Sequence, residues 1–437
     1  MGIARDVLHK KLMTAPSLDR LARQYQPHTF PNRNSITNSE KSLIDLIRKY
    51  GELSKSDLVT FTDYSRTKIT SCIDSLLGKN ILVANTVTEY TGGRRSKKFS
   101  LNGSFGLVAG VDIGATSIDL GIADFSGKLL ARHSEPSSVR DGPIIVLGRV
   151  CSLLEKMLQD NNLSFEKLND IGIGVPGPVD FSVGTLVSPP IMPGWDRYPI
   201  CQTMQQWFPS SNVVVDNDVN VMALGEIYQG AGKEVDNLIF VKIGTGIGAG
   251  IVCEGEIYRG SSGCAGDIGH ISVDKNGPMC HCGNKGCLEA VAAGPAIVER
   301  SVQAARAGRS PILMSYYDKN GAVLRTEDVG NASREGDAQA IEVIRESGQY
   351  IGEVLAGLVN FYNPGMIVIG GGVSNLGNLL LSSIRQTVLN RSLPLATRDL
   401  LIVFSETGVD AGVIGAIHLA IDNMLYLAAG QVKASVA

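Results

Sequence analysis

Long apolar runs are missing from this 437-residue chain. The longest are broken by Gly or charge well short of the ~18–20 residues a membrane span needs, so no membrane partner is expected. The N-terminus also lacks the charged, then apolar, then small-residue succession of a secretory signal. Cysteine is scarce, 8 in all, and Cys72, Cys151, Cys201, Cys253 and Cys264 are scattered without framework spacing. That pattern excludes a disulfide scaffold and points to a reducing, cytoplasmic setting where thiolates stay available for metal. A large net charge is absent too: the formal value is −3, with 44% apolar and 19% charged residues, as in ordinary soluble globular proteins. The length exceeds one compact core and predicts two or three domains.

What the chain does have is concentrated between Gly266 and Glu289, in G-D-I-G-H-I-S-V-D-K-N-G-P-M-C-H-C-G-N-K-G-C-L-E. Cys280, Cys282 and Cys287 follow C-x-C-x4-C spacing, with His270 ten residues upstream of Cys280. Zinc takes four N or S donors in a tetrahedron at about 2.0–2.3 Å, which a Cys3His set supplies. Gly283 and Gly286 suit a tight knuckle around an ion. Three thiols clustered by chance are the plainer alternative, but so few cysteines elsewhere argue against it. Four protein ligands close the site, so the expected metal is structural zinc at His270, Cys280, Cys282 and Cys287.

The near-zero net charge conceals an asymmetry. Residues 1–100 hold 17 Lys and Arg against 9 Asp and Glu; the remainder holds 23 against 34. A basic front on an acidic body fits a nucleic-acid-binding module fused to a metabolite-binding domain. Residues 1–36 read as a basic arm with a short helix around Leu8–Tyr25, without assigned function. Beyond them, Leu43, Ile44 and Ile47 form one helical face, Ser54 and Asp57 a capping box opening a second helix, and Ser65 the cap of a third. In that third helix Ile69, Ile73, Leu76 and Leu77 lie on one face. Ser65, Arg66, Thr67, Lys68, Thr70 and Ser71 crowd its N-terminus with the donors and cations that meet phosphates and base edges in a major groove. Strands at Ile81–Val87 and Phe99–Leu101 flank T-G-G-R-R-S-K-K, whose Arg94 and Arg95 form a basic wing. A three-helix interaction module with a solvated basic face is the alternative. Residues 37–101 resemble the winged helix-turn-helix that fronts ROK-family regulators, and the G-G-R-R-S-K-K…L-N exit is similar to that family's linker.

Three Gly-rich strand corners follow. Leu107–Val111 runs into Asp112-Ile-Gly114-Ala-Thr116; Leu238–Lys242 runs into Ile-Gly244-Thr245-Gly246; Ile367 leads to three glycines including Gly371. A Gly and a Thr hydroxyl at a corner admit phosphate, and an Asp there orients metal or water, so ATP with Mg is a candidate cofactor. Alone, D-x-G-x-T equally suits a plain hairpin. Together the corners resemble the duplicated actin-like ATPase (ribonuclease H-like) fold, two α/β lobes around a cleft. Gly172–Asp180 reads as a strand ending in a Gly/Pro corner, and Val213–Val215 as a buried strand entering Asp216-Asn217-Asp218-Val-Asn220. Such a polar cluster needs water, a partner or ligand hydroxyls, or serves to cap the helix Val219–Tyr228.

The ROK resemblance spans roughly residues 105–425. It implies that Asn217 grips sugar hydroxyls, that Asp218 is the general base if the protein is a kinase, that Gly177 contacts sugar through its backbone, and that Asp267, His270 and Glu289 bind the ring. Asp267 stands where the family usually has Glu in G-E-x-G-H, one methylene shorter. Ala115 replaces the second Gly of D-x-G-G-T. Downstream, we expect a helix Ala290–Ala305, an insertion up to Glu327, a long helix Asp337–Asn360 and a closing helix Ala411–Ala429.

The expected architecture is therefore α/β: a basic arm at 1–36, a winged helix-turn-helix at 37–101, and a ROK sugar-kinase-like domain at 102–437. In the last, lobe one is about 102–230 with the C-terminal helix, and lobe two about 236–410. The expected function is sugar- or phosphosugar-controlled operator binding by a cytoplasmic, nucleoid-associated homodimer or homotetramer. An ATP-dependent sugar kinase carrying a DNA-binding front is the competing expectation, and a non-catalytic scaffold a third.

Overall fold

The computed structural model describes residues 36–86 and 97–425. The arm, its Leu8–Tyr25 helix, and Arg94 and Arg95 of the wing lie outside the described residues. The described residues divide into two compact units, one formed by those up to Asp218 together with Gly412–Leu425, the other by Val219–Ala411.

In the first unit, three helices and three strands alternate in winged-helix order. Helix α1 (Asn38–Tyr50) starts in a reciprocal capping box between Thr37 and Glu40. Helix α2 (Lys55–Phe61) starts in another, between Ser54 and Asp57. Helix α3 (Arg66–Gly78) is capped by Ser65, whose hydroxyl accepts from Lys68 N–H. Leu43, Ile44, Leu58, Ile69, Ile73 and Leu76 are fully buried between them. Strands β2 (Leu82–Thr86) and β3 (Lys97–Leu101) pair antiparallel as expected. The short strand β1 (Leu53–Ser54), absent from the sequence reading, pairs with β3 through Leu53↔Phe99 and completes the sheet order β1-β3-β2. Two residues are too few to show a period, and this strand exists only because β3 offers it an edge.

The body of that unit is a five-stranded sheet with the order β10-β7-β4-β5-β6. It comprises β4 (Leu107–Ile113), β5 (Ser117–Asp124), β6 (Leu129–Pro136), β7 (Leu168–Val175) and β10 (Asn212–Asn217). A small ribbon, β8 (Val179–Asp180) with β9 (Thr185–Leu186), follows β7. All seven residues of β4 are buried, the continuous apolar run of a strand covered on both faces.

The second unit repeats that plan, with the order β13-β12-β11-β14-β15 in β11 (Leu238–Ile243), β12 (Ile247–Cys253), β13 (Glu256–Ile257), β14 (Met366–Gly370) and β15 (Leu401–Phe404). In each sheet two antiparallel pairings (β4·β5 and β5·β6; β11·β12 and β12·β13) give way to two parallel ones (β4·β7 and β7·β10; β11·β14 and β14·β15). The corner after β4, carrying Gly114, is thus the counterpart of the corner after β11, carrying Gly244. This duplicated sheet plan is that of the actin-like ATPase fold.

Two expectations for the second unit need correction. The helix expected over Ala290–Ala305 is two, Leu288–Ala292 and Gly294–Arg306, because Ala293 turns extended and Pro295 opens a fresh helix at its first turn. The stretch before Glu327, expected as a polar insertion, contains the helix Pro311–Lys319 and leads into the helix Thr326–Arg334, and together they bury Leu313, Tyr317, Val329 and Ala332 in the core. Asp337 caps the long helix Ala338–Tyr362. Among the described residues one helical stretch, Gly408–Leu425, is long and apolar enough by length and composition to cross a membrane, and 61% of it is buried inside the fold.

Candidate functional site

The Cys-rich segment folds back on itself into a knuckle. Cys280 N–H donates to Asn284 O at 2.8 Å, Gly283 N–H to Cys280 O at 3.0 Å and Gly286 N–H to Pro278 O at 2.8 Å. Gly286 has φ +65°, and a Cβ there would stand 1.5 Å from Asp274 O. No other residue fits. The result gathers one donor atom each from His270, Cys280, Cys282 and Cys287, all within 4.8 Å of one another. His270 Nδ1 is 3.5 Å from Cys280 Sγ, and Cys282 Sγ is 3.7 Å from Cys287 Sγ. Four donors at zinc bond lengths around one ion stand roughly 3.5–3.8 Å apart, so the donor set and its spacing fit that metal. The Asn284 backbone N–H, ahead of the neighbouring thiols, brings the Cys282 thiol down to about 7.

The same segment sets the residues upstream. Ala249 N–H donates to Gly266 O at 2.8 Å, docking Gly266–His270 along β12, and a Cβ on Gly269 would stand 2.2 Å from Ile247 O. His270 consequently turns Nε2 toward Asp267 Oδ1 at 3.9 Å while Nδ1 faces the sulfurs. Glu289, two residues after Cys287, accepts the Ile247 N–H at 3.2 Å. Burial pushes its carboxyl up, against the lowering effect of that N–H. A Cβ on Gly246 would lie 2.3 Å from Glu289 Oε2. The Gly244-Thr245-Gly246 corner and Glu289 are thus one packed unit, a relation that spacing alone does not reveal. Gly371, with φ +86°, closes against Ile243 O beside that corner.

In the first unit, Asn217 Nδ2 donates to Gly177 O at 2.9 Å, joining two of the candidate residues directly. Asp218 begins the helix Asp218–Gln229 and is buried. Asp112 lies next to last in β4, and Gly114 and Thr116 form the tight corner before β5, where Gly114 N–H donates to Ser117 O at 2.9 Å. Asp112 is buried and touches the first turn of the helix Ala411–Leu425: a Cβ on Gly412 would stand 1.9 Å from Asp112 Oδ2.

On the head, Ser65, Arg66, Thr67, Lys68 and Ser71 are exposed and Thr70 half-buried, while Ile69, Cys72, Ile73 and Leu76 face inward. The N-terminal end of α3 is therefore an accessible positive ridge. Lys55 Nζ donates to Thr70 Oγ1 at 3.3 Å and adds a cation beside that ridge. Sequence reasoning passed over Lys55; its place directly after the Ser54 cap was the available signal.

Residues 108–423 match the ROK family. The chain is 36% identical to a glucokinase of Halalkalibacterium halodurans over 307 residues, 70% of this chain and 92% of that protein. It is 28% identical to the xylose repressor of Caldicellulosiruptor bescii over 373 residues, 85% of this chain and 92% of that protein. Among solved structures, a ROK family transcriptional regulator homologous to the E. coli MLC protein superposes with TM-score 0.73 and 28% identity, covering 90% of this chain and 98% of that one. The chain belongs to the ROK family.

Proposed function

We propose that this protein is a DNA-binding transcriptional regulator, a repressor of carbohydrate-metabolism genes, whose operator binding is controlled by a sugar or phosphosugar held in the ROK body. The observation that carries this reading is the exposed Arg66-Thr67-Lys68 end of α3 in a winged helix. A plain sugar kinase has no use for a groove-reading helix. The extent of the similarities supports it: the xylose repressor match takes in 85% of the chain, more than the stretch after residue 101 can hold, whereas the glucokinase match takes in 70%.

In this reading Ser65, Arg66, Thr67, Lys68, Thr70 and Ser71, with Arg94 and Arg95 of the wing, meet operator DNA as part of a cytoplasmic, nucleoid-associated homodimer or homotetramer. Asn217, Asp218, the backbone of Gly177, Asp267, His270 and Glu289 grip sugar hydroxyls. Zinc, held by His270, Cys280, Cys282 and Cys287, supplies a fixed brace when bound. The chain's own contribution is to orient His270 and the Glu289 helix from one anchored loop. The sugar acts by binding one arrangement of the protein better than another, which shifts DNA affinity by the same coupling.

A second reading, an ATP-dependent sugar kinase carrying a DNA-binding domain, is favoured by the 36% identity to a glucokinase. There Asp112, Gly114, Thr116, Gly244, Thr245, Gly246 and Gly371 hold ATP with Mg, and Asp218 takes the proton of the attacking hydroxyl. Two assays separate the readings. A footprint on DNA that sugar abolishes, and that Arg66→Ala/Lys68→Ala removes, supports the regulator. Coupled ADP release well above background, lost in Asp218→Asn, supports the kinase.

A further inference from the structure

One helix of the first unit touches both a candidate ligand corner and the DNA-facing head. Its first turn lies against Asp112 through Gly412. Its first two turns are seated on the sheet: a Cβ on Gly172 would stand 2.1 Å from Ala416 O, and one on Gly110 2.6 Å from Val413 O. Contacts that close leave the helix little freedom to slide without moving β4 and β7. Its far half shares a core with the head, where Ile417, Ala420, Ile421 and Leu425 belong to one buried cluster with Leu43, Ile44 and Ile47 of α1.

Into that apolar junction α1 sends one charge. The Arg48 side chain is wholly inaccessible. Its Nη1 donates to Asp422, its Nη2 donates to His418 O at 3.2 Å and lies 3.0 Å from His418 Nδ1, and Asp45 Oδ1 is 3.5 Å away on its own helix. A buried guanidinium is a poor way to hold two surfaces together, because desolvation offsets its attraction and an apolar pair of similar volume does as well. What it does provide is register: a planar fork accepts one placement of its acceptors, whereas Leu against Ile tolerates several.

We infer that Arg48 is the positioning residue through which the ROK body sets the placement of the DNA-binding head. The helix Ala411–Leu425 acts as a stiff bar, with Asp112 at one end and Arg48 at the other, about 15 Å apart along its axis for the ten residues from Gly412 to Asp422. Sugar held by Gly177, just past β7, and by Asn217, at the end of β10 beside Val175 of β7, loads the sheet on which the bar is seated. A shift of β7 carries Asp422 and His418 with it, and Arg48 passes that displacement to α1. This rests on the regulator reading above.

The test uses the full chain, a duplex selected by it from a random pool, and D-xylose and D-glucose as probes. Duplex affinity is read by anisotropy with and without each sugar, and sugar affinity by calorimetry. In Arg48→Met/Asp422→Leu, which replaces the ion pair by apolar contacts, we expect sugar affinity and sugar-free DNA affinity to stay near wild type. The sugar-induced change in DNA affinity, about tenfold or more in wild type as typical coupling allows, should fall below about twofold. A double variant that keeps the wild-type change overturns the inference alone. A wild-type protein whose DNA affinity ignores sugar overturns the regulator reading along with it. Should the double variant not fold, Arg48→Lys, which keeps the charge and loses the fork, serves the same comparison: a reduced response supports the inference and an unchanged one overturns it.

Discussion

His270 presents Nδ1 to Cys280 Sγ at 3.5 Å. Its other nitrogen is left for Asp267, so one imidazole belongs both to the thiol knuckle and to the face that carries the candidate sugar residues. Removing a knuckle ligand should therefore disturb more than metal content. We expect wild type to hold about one zinc per chain and Cys282→Ser to lose it, with sugar affinity lost in step. Metal analysis paired with sugar calorimetry checks this, and a metal-free variant that binds sugar normally contradicts it.

Gly286 offers a sharper probe of the knuckle because it contributes no ligand. Its positive φ and the 1.5 Å approach to Asp274 O leave no room for a methyl. Gly286→Ala should cost about 3 kcal/mol or more in denaturant unfolding and release zinc, although all four ligands remain. A variant with unchanged stability and full zinc would show that the turn relaxes.

The head carries its own pH signature. Burial works to raise the Glu40 carboxyl, but hydrogen bonds from Lys79, Thr37 and Ser75 outweigh it and hold the group at about 2, below its ordinary 4.5. A depressed carboxyl stabilises the fold above its unfolded value. The contribution, about 2 kcal/mol, should be intact above roughly pH 4.5 and drain away as pH falls toward 2. Thermal melts of wild type and Glu40→Gln should differ at neutral pH and converge in acid. A difference that does not vary with pH would remove the Glu40–Lys79 pair as its source.

DNA binding should be steeply salt-dependent. Arg66→Ala and Lys68→Ala remove exposed cations without touching the α3 core, so each that meets a phosphate should lower the slope of log affinity against log salt by about 0.9. Anisotropy across a salt series measures it. Slopes equal to wild type would mean that this end of α3 does not face DNA.

The parts of this molecule that sequence reasoning reached are those held by local rules. The Leu43, Ile44 and Ile47 face, the Ser54–Asp57 capping box and the Ser65 cap mark the three head helices, and the cysteine spacing marks the knuckle. The three Gly-rich corners are local too, and they foreshadowed the duplicated sheets. What escaped depends on partners distant along the chain. Arg48 and Asp422 are 374 positions apart, and nothing near either one announces the other. Strand β1 borrows its existence from β3, and the packing of Gly246 on Glu289 joins two segments 43 residues apart whose motifs look independent. The helices Pro311–Lys319 and Thr326–Arg334 are nine residues each, and the few apolar residues they bury, among them Leu313, Tyr317, Val329 and Ala332, are too few to show a sustained period.

The most direct test of the central claim is the affinity of the full-length chain for its selected duplex as D-xylose and D-glucose are titrated in. The account predicts that at least one sugar changes that affinity by about tenfold or more. Duplex affinity that stays constant through saturating sugar would contradict it.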